Sequence, residues 1–338
     1  MRRLSVVLFA ILASLPAVAG AVDQIKLRTG TSFSGRLTKM GSLYVELEDK
    51  DGGQNKVGVN EIAQINYDGE PSAMRSLRSE VINEHYADAL KMMEKSVLSL
   101  GDGTREEILQ DLAYYKAFCN ARLALNHDGD IQDAGKEMAA FVKANPNSYH
   151  YLEACETIGD MLAASRKFGA AADFYHKLAA APWPDYKIRA GIAEGRALIA
   201  QQKFADAMKS FDAVLAIEGK GEAVAAGRLS AKIGRARCMG ETGQTDEAIK
   251  IAKEIIDKTD AGDADTQAHA YVALGVALRK ARRDKEALIA FLHVDLLYNT
   301  VPDAHAESLA NLADLWAGLR QNDRATRARQ TLIDRYGG

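Results

Sequence analysis

The sequence predicts a mainly α-helical protein in which a solenoid of about seven helical hairpins follows a small all-β module. Two observations support this fold class. From position 22 to 69 apolar and polar residues alternate between glycine-bearing turns, whereas from position 70 onward apolar residues recur at three- and four-residue spacing. In addition, one amphipathic segment of the second part recurs along the chain, which indicates a repeat architecture.

The first 21 residues have the composition of a secretory signal peptide. Arg2 and Arg3 precede an apolar run that ends near Leu15, and the small-residue stretch Ala17-Val18-Ala19 follows. Such a run is too short to span a bilayer, and no cysteine follows it that could carry a lipid. We therefore expect an exported protein, periplasmic or associated with the cell envelope, that is neither a lipoprotein nor an integral membrane protein.

Residues 22–69 are expected to form five short antiparallel strands. In the first of them Ile25 and Leu27 alternate with Lys26 and Arg28, and the later segments repeat this period of two. Five strands of this length could close into a small SH3-like or Sm-like barrel. Its core would be marginal alone, so we expect the module to pack against the helices of residues 70–338.

The second part is built from copies of one segment, of which KFADAMKSFDAVL at 203–215 is the clearest. The copies span residues 85–97, 130–142, 167–179, 203–215, 245–256, 282–294 and 323–334. Each has a small residue near its start, at Ala89, Ala134, Ala171, Ala207, Ala248, Ala287 and Ala325, and these alanines lie 36 to 45 residues apart. A second helical stretch precedes each copy, often with another small residue twelve positions upstream of the alanine. Each unit is therefore predicted to be a hairpin of two closely packed helices.

These units resemble the tetratricopeptide repeat (TPR) family. In residues 188–215 the family's helix-packing positions are matched by Gly195, Leu198, Phe204, Ala207 and Phe211. The spacing exceeds the family's usual 34 residues, most clearly in the second unit. The resemblance extends from about residue 70 to the end of the sequence, and it implies a TPR-like α-solenoid whose first helices line a concave groove.

The resemblance also implies which side chains face that groove. They are Lys116, Asn120, Glu153, Glu156, Asp160, Arg189, Arg196, Arg237, His269, Arg279, Glu307, Asn311 and Asp314. Two interpretations stay open: these are the solvated faces of amphipathic helices, or the basic middle band of Arg189, Arg196, Arg237 and Arg279 captures carboxylates of a partner segment.

No catalytic, cofactor or metal-binding motif is found in the sequence. The seven histidines are scattered without metal-ligand spacing, and glycine-rich phosphate loops are missing. The Asp49-Lys50-Asp51-Gly52 run lacks the glutamate of a calcium loop, so a hairpin turn is favoured. A net charge of -3 argues against nucleic acid as a partner.

Three cysteines, Cys119, Cys155 and Cys238, are expected to be buried and free, with a Cys119–Cys155 bridge as the alternative.

Taken together, these features predict an exported TPR scaffold that binds other proteins, namely cell-envelope proteins or their acidic segments, in its concave groove. The alternative is an all-helical enzyme or accessory factor that acts on a polymer of the cell envelope. Two facing groove carboxylates would favour the enzyme, whereas a groove of mixed charge with apolar pockets would favour the scaffold.

Overall fold

The computed structural model describes residues 22–337, so the predicted signal peptide lies outside the described residues. Fourteen α-helices and five strands lie within this range. The strands are β1 (Asp23–Leu27), β2 (Ser32–Lys39), β3 (Tyr44–Glu48), β4 (Gln54–Gly58) and β5 (Ile62–Asn66), with a short 3-10 helix at Val59–Glu61. No helix within residues 22–337 is both long and apolar enough to cross a membrane.

The five strands form one antiparallel sheet in the order β4-β3-β2-β1-β5. Apolar residues at alternate positions, such as Ile25, Val45 and Leu47, are fully buried on one face, as the period of two predicts. The sheet bends where the register shifts between Leu37 and Lys39. Within the described residues β4 and β5 lie at opposite edges and form no ladder with each other, so hydrogen bonds do not close the sheet into the expected barrel.

Aspartate side chains hold the backbone of two loops through hydrogen bonds. The carboxylate of Asp49 accepts hydrogen bonds from the backbone nitrogens of Asp51 and Gly53, which makes a turn between β3 and β4. The carboxylate of Asp263 accepts from the backbone nitrogen of Thr266 and caps a helix. The hairpin turn that the sequence favoured is confirmed.

The helices pair into seven hairpins, as predicted. Their bounds are α1 (Ala73–Ile82), α2 (Tyr86–Leu98), α3 (Glu106–Leu125), α4 (Ile131–Ala144), α5 (Tyr151–Ala164), α6 (Phe168–Ala179), α7 (Pro184–Ala200), α8 (Phe204–Ala216), α9 (Glu222–Glu241), α10 (Thr245–Lys258), α11 (Ala264–Lys280), α12 (Asp284–Leu297), α13 (Pro302–Gly318) and α14 (Asn322–Tyr336). Hairpin 1 is α1 with α2, and the count continues to hairpin 7, which is α13 with α14. Pro184 and Pro302 start their helices, where a missing backbone N–H costs nothing.

Small residues let the paired helices approach closely. The seven alanines that define the repeat are all buried, with exposed fractions of 5% or less. In hairpins 3, 4 and 6 a glycine of the first helix faces an aromatic ring of the second: a Cβ added at Gly195 would lie 2.6 Å from the Phe211 ring, and Gly275 faces Phe291 in the same way. The small-residue pattern therefore sets the packing of the hairpins.

Each hairpin turns through one residue of left-handed backbone conformation. These residues are Glu84, His127, Arg166, Gln202, Gly243, Arg282 and Arg320, with φ between 58° and 90°. Each lies five residues before the repeat's alanine, except in hairpin 2, where the separation is seven. The longer turn explains part of the increased spacing around the second unit.

The β module packs along the N-terminal ends of α3, α5 and α7. The carboxylate of Asp23 accepts from Arg105 at the start of α3 (2.6 Å), and the hydroxyl of Tyr67 donates to Asp111 six residues later (3.1 Å). Trp183, at the start of α7, meets the ring of Tyr44 edge-on at 5.5 Å. The module shares one hydrophobic core with the first three hairpins and α7, as its small size predicts.

Cys119, Cys155 and Cys238 are buried and free. The predicted state is therefore confirmed, and the alternative Cys119–Cys155 bridge does not form. Burial raises the pKa of the Cys119 thiol to about 12 and that of Cys238 to about 11, so neither is a reactive thiolate at neutral pH.

Candidate functional site

The first helices of the hairpins carry every groove residue that the sequence singled out. Lys116 and Asn120 lie on α3; Glu153, Glu156 and Asp160 on α5; Arg189 and Arg196 on α7; Arg237 on α9; His269 and Arg279 on α11; Glu307, Asn311 and Asp314 on α13. They divide into a central set that lines two cavities and an outer set that does not.

The wide cavity, of about 850 Å³, occupies the middle of the groove. Its polar lining includes Glu153, Glu156 and Asp160 from α5, and Arg189 and Arg196 from α7. Apolar side chains of α7 and small residues of α9 complete the wall between these charges. The cavity therefore has mixed charge interrupted by apolar surface, which is the arrangement that the sequence analysis associated with a scaffold.

The β module also contributes to the wide cavity, through Arg28 and Asn60. Arg28 Nε donates to the backbone oxygen of Asn60 (3.1 Å), and its Nη2 lies 3.6 Å from a carboxylate oxygen of Glu153. Sequence analysis did not assign these residues to the groove. The repeat pattern contains no signal for them, because they reach the groove only through the packing of the module against α5.

The small cavity, of about 300 Å³, adjoins the wide one and lies between α7, α9, α11 and α13. Its charged lining consists of Arg196, Arg237, His269, Asp265, Asp303 and Glu307. Its apolar wall includes Phe211, whose ring fits between α7 and α9 because Gly195 and Gly234 carry no side chain there. Arg196 and Asp303 line both cavities, so the two are joined at these residues.

Three of the four predicted arginines already have partners in the solenoid. Arg189 forms two hydrogen bonds with the carboxylate of Glu156 on the preceding hairpin. Arg237 donates to Glu307, and Arg279 donates to Asn311 (2.7 Å) and Asp314 (3.1 Å). The basic band is therefore not a row of free guanidinium groups, since carboxylates and amides of other hairpins bind three of its four arginines.

Arg196 is different from the other three. It is exposed, and its side chain forms no hydrogen bond or ion pair with any of residues 22–337. Its positive charge acts on the carboxylates of Asp160 and Asp303 and on the imidazole of His269. Arg196 is consequently the guanidinium of the band that is available to a ligand.

His269 and Asp303 form a charged pair where the two cavities meet. The Nε2 atom of His269 lies 3.0 Å from Asp303 Oδ2, and its Nδ1 atom lies 2.8 Å from the backbone oxygen of Asp265. Burial lowers the pKa of His269, but the hydrogen bond to Asp303 and the negative charges of Asp303 and Asp265 together outweigh it, so the net pKa is raised. Burial raises the pKa of the Asp303 carboxyl, but the hydrogen bond and charge of His269, together with the charge of Arg196, hold this pKa well below its usual range.

The carboxylates of α5 are each engaged by a neighbour. The Tyr114 hydroxyl donates to Glu153 (3.2 Å) and the Tyr175 hydroxyl to Asp160 (3.0 Å), while Glu156 accepts from Arg189. Burial raises the pKa of the Asp160 carboxyl above its usual value despite the bond from Tyr175.

Arg279, Asn311 and Asp314 line neither cavity. Their contacts join α11 to α13, so they stabilise the stacking of hairpins 6 and 7. The sequence-predicted residues Lys116 and Asn120 are likewise outside both cavities and contact Glu137 on α4. Among residues 22–337 no group of three or more His, Cys, Asp or Glu side chains is placed to hold a metal ion.

Comparison with known proteins identifies the fold. No protein-family model matches the sequence, and no curated protein matches it. A tetratricopeptide repeat protein from Parabacteroides merdae is similar with a TM-score of 0.55 and 14% identity, over 78% of this chain and 92% of that one. A Rap protein complexed with Competence and Sporulation Factor has a TM-score of 0.56 and 14% identity, over 78% and 76% of the two chains. NprR in complex with its cognate peptide NprX has a TM-score of 0.50 and 14% identity, over 78% and 77%.

These similarities show that the helical part has a TPR-like fold, which confirms the family resemblance of its repeats. Identities of this size establish the fold alone.

Proposed function

We propose that this protein is an exported scaffold whose groove binds an extended, carboxylate-bearing segment of another protein, in the periplasm or at the cell envelope. The observation that carries the proposal is the unpaired guanidinium of Arg196 at the junction of the two cavities. A planar guanidinium can bind a carboxylate through two parallel hydrogen bonds, so it suits the recognition of an aspartate, a glutamate or a chain terminus.

The surroundings of Arg196 support a peptide ligand. The wide cavity has a volume of about 850 Å³, which is within the range of ligand-binding clefts. Glu153 and Asp160 of α5 line the same cavity as Arg196, and their charge would repel a carboxylate placed out of register. The structure of NprR, whose peptide NprX is part of the complex, supports peptide binding by a chain of this fold.

Export is proposed on the composition of residues 1–21, and it would place the partner outside the cytoplasm. Catalysis on an envelope polymer has less support. Each carboxylate of α5 is held by Arg189, Tyr114 or Tyr175, so the solenoid itself already engages these groups.

The proposal is tested by capture and then by a binding constant. The exported protein serves as bait in an envelope extract, captured proteins are identified by mass spectrometry, and acidic segments of the partner are synthesised with a fluorescent label. Arg196→Glu should weaken the binding of such a segment at least about tenfold in an anisotropy titration, because a charge-assisted hydrogen bond is lost and a repulsion is added.

Arg327→Glu is the matched control. Arg327 is an exposed arginine of α14 that lines neither cavity, so the same charge reversal there should leave the affinity unchanged. Equal affinities for the Arg196→Glu variant and the unaltered protein would contradict the proposed site. Arg237 is less suitable for this test, since its reversal would also break the ion pair with Glu307.

A further inference from the structure

The small cavity has the size and lining of a site for a small molecule. Its volume of about 300 Å³ is at the lower end of the range for ligand pockets, and far below what a folded segment of a protein needs. Four successive first helices, α7, α9, α11 and α13, surround it, so the groups that line it are held on rigid elements.

One wall of the small cavity is apolar. Ile199 of α7, Ile233 of α9 and Val272 of α11 line it together with the ring of Phe211. Phe211 is buried between α7 and α9, with Gly195 on one side and Gly234 on the other. This wall can accept a branched aliphatic side chain but offers it no hydrogen bond.

The polar lining of the cavity presents both signs of charge. Arg196 supplies an unpaired guanidinium, as described above. Asp265 supplies a loosely held carboxylate: its side chain is 69% exposed, and its contact with the Nδ1 atom of His269 is 3.5 Å long. The other charges are already matched within the protein, because Arg237 pairs with Glu307 and His269 pairs with Asp303.

We propose that the small cavity binds a free α-amino acid with an aliphatic side chain. The carboxylate of the ligand accepts hydrogen bonds from Arg196, its ammonium group donates to Asp265, and its side chain packs on the wall of Ile199, Ile233 and Val272. A zwitterionic ligand fits this lining because its two available groups, Arg196 and Asp265, have opposite charges.

An amino acid bound in the small cavity would also affect binding in the groove, and this consequence rests on the proposed function. Because Arg196 lines both cavities, an amino acid bound in the small cavity would occupy the guanidinium that a partner segment needs. The two ligands would then compete, and the scaffold would respond to the concentration of a small molecule.

The test uses the protein without any partner, so its outcome does not depend on the proposed function. Thermal unfolding and calorimetric titration are carried out with L-leucine, with 4-methylpentanoate, which lacks the ammonium group, and with isopentylamine, which lacks the carboxylate. L-Leucine at a hundredfold excess over its dissociation constant should raise the Tm by about 5 °C, and the two analogues should bind at least about tenfold more weakly. Equal behaviour of the three compounds, or no binding of L-leucine, would overturn the proposal.

Variants assign the two charged groups. Arg196→Ala should weaken the binding of L-leucine at least about tenfold. Asp265→Asn should also weaken the binding of L-leucine but leave the binding of 4-methylpentanoate unchanged. Arg327→Ala, on the exposed face of α14, is the control and should leave the dissociation constants of all three compounds unchanged. Binding of L-leucine that is insensitive to Arg196→Ala would place the ligand elsewhere and would refute this site.

Discussion

Replacement of Gly275 by alanine tests whether small residues set the packing of the hairpins. The added Cβ would lie 2.6 Å from Cζ of Phe291, whereas carbon atoms in ordinary contact are about 3.5 to 4.0 Å apart. The ring would therefore have to move by about 1 Å. Phe291 is fully buried between the helices of hairpin 6, so this movement disturbs its other neighbours as well. Overpacking of this kind costs about 1 to 3 kcal/mol.

The control is Gly135→Ala, since Gly135 also lies inside a helix but has open space at its Cβ position. Both variants gain about 0.5 to 1 kcal/mol from the better helix propensity of alanine, so the difference between them isolates the overpacking cost. Gly135→Ala should raise the free energy of unfolding and Gly275→Ala should lower it, as measured by urea denaturation followed by circular dichroism. If both substitutions stabilise the protein equally, Gly275 of α11 does not pack as closely against Phe291 of α12 as described above.

Three further predictions concern other parts of the chain. Ala207→Leu should destabilise the protein by about 1 to 3 kcal/mol, whereas Ala205→Leu on the exposed face of α8 should be nearly neutral; equal Tm values would mean that the repeat register is wrong. His269→Gln should lower the Tm more at pH 5.5 than at pH 8.5, because the raised pKa of His269 stabilises the fold below its unfolded value of 6.5 and this contribution is lost as the pH rises through the folded value. A deficit that is larger at pH 8.5 would contradict the charged pair with Asp303. Arg78 forms buried ion pairs with Glu70 and Asp111, so Arg78→Met leaves both carboxylates without their counter-charge and should cost about 3 to 5 kcal/mol in chemical denaturation; an unchanged free energy of unfolding would contradict these ion pairs.

The fold could be predicted largely because its determinants are local. Ala207 and Gly195 are separated by twelve residues, within one hairpin, and their small size can be read directly from the sequence. The left-handed turn residues could not be predicted in the same way. Only Gly243 among them is a glycine, and residues such as Gln202 and Arg282 adopt this conformation because the packed helices on either side require it.

The candidate site could be predicted only in part, since the ion pairs between its side chains depend on how the helices of the solenoid are placed in space. The family resemblance identified Arg189, Arg196 and Arg237 as groove residues on two successive first helices, and all three line a cavity. It could not show that Glu307, seventy residues away in sequence, neutralises Arg237. Nor could it show that Arg28 of the β module reaches Glu153, because that contact arises from the packing of two differently built parts.

The ion pair between Arg237 and Glu307 joins hairpin 5 to hairpin 7 across hairpin 6. In a simple solenoid each unit contacts only its immediate neighbours, so the stability of the array is a sum of unit and nearest-neighbour contributions. Here the side chains are 22% and 26% exposed, and their pairing adds an interaction between second neighbours. The last hairpin can therefore fray only if it also separates from hairpin 5, which makes the unfolding of the three C-terminal units more cooperative than their pairwise interfaces alone would allow.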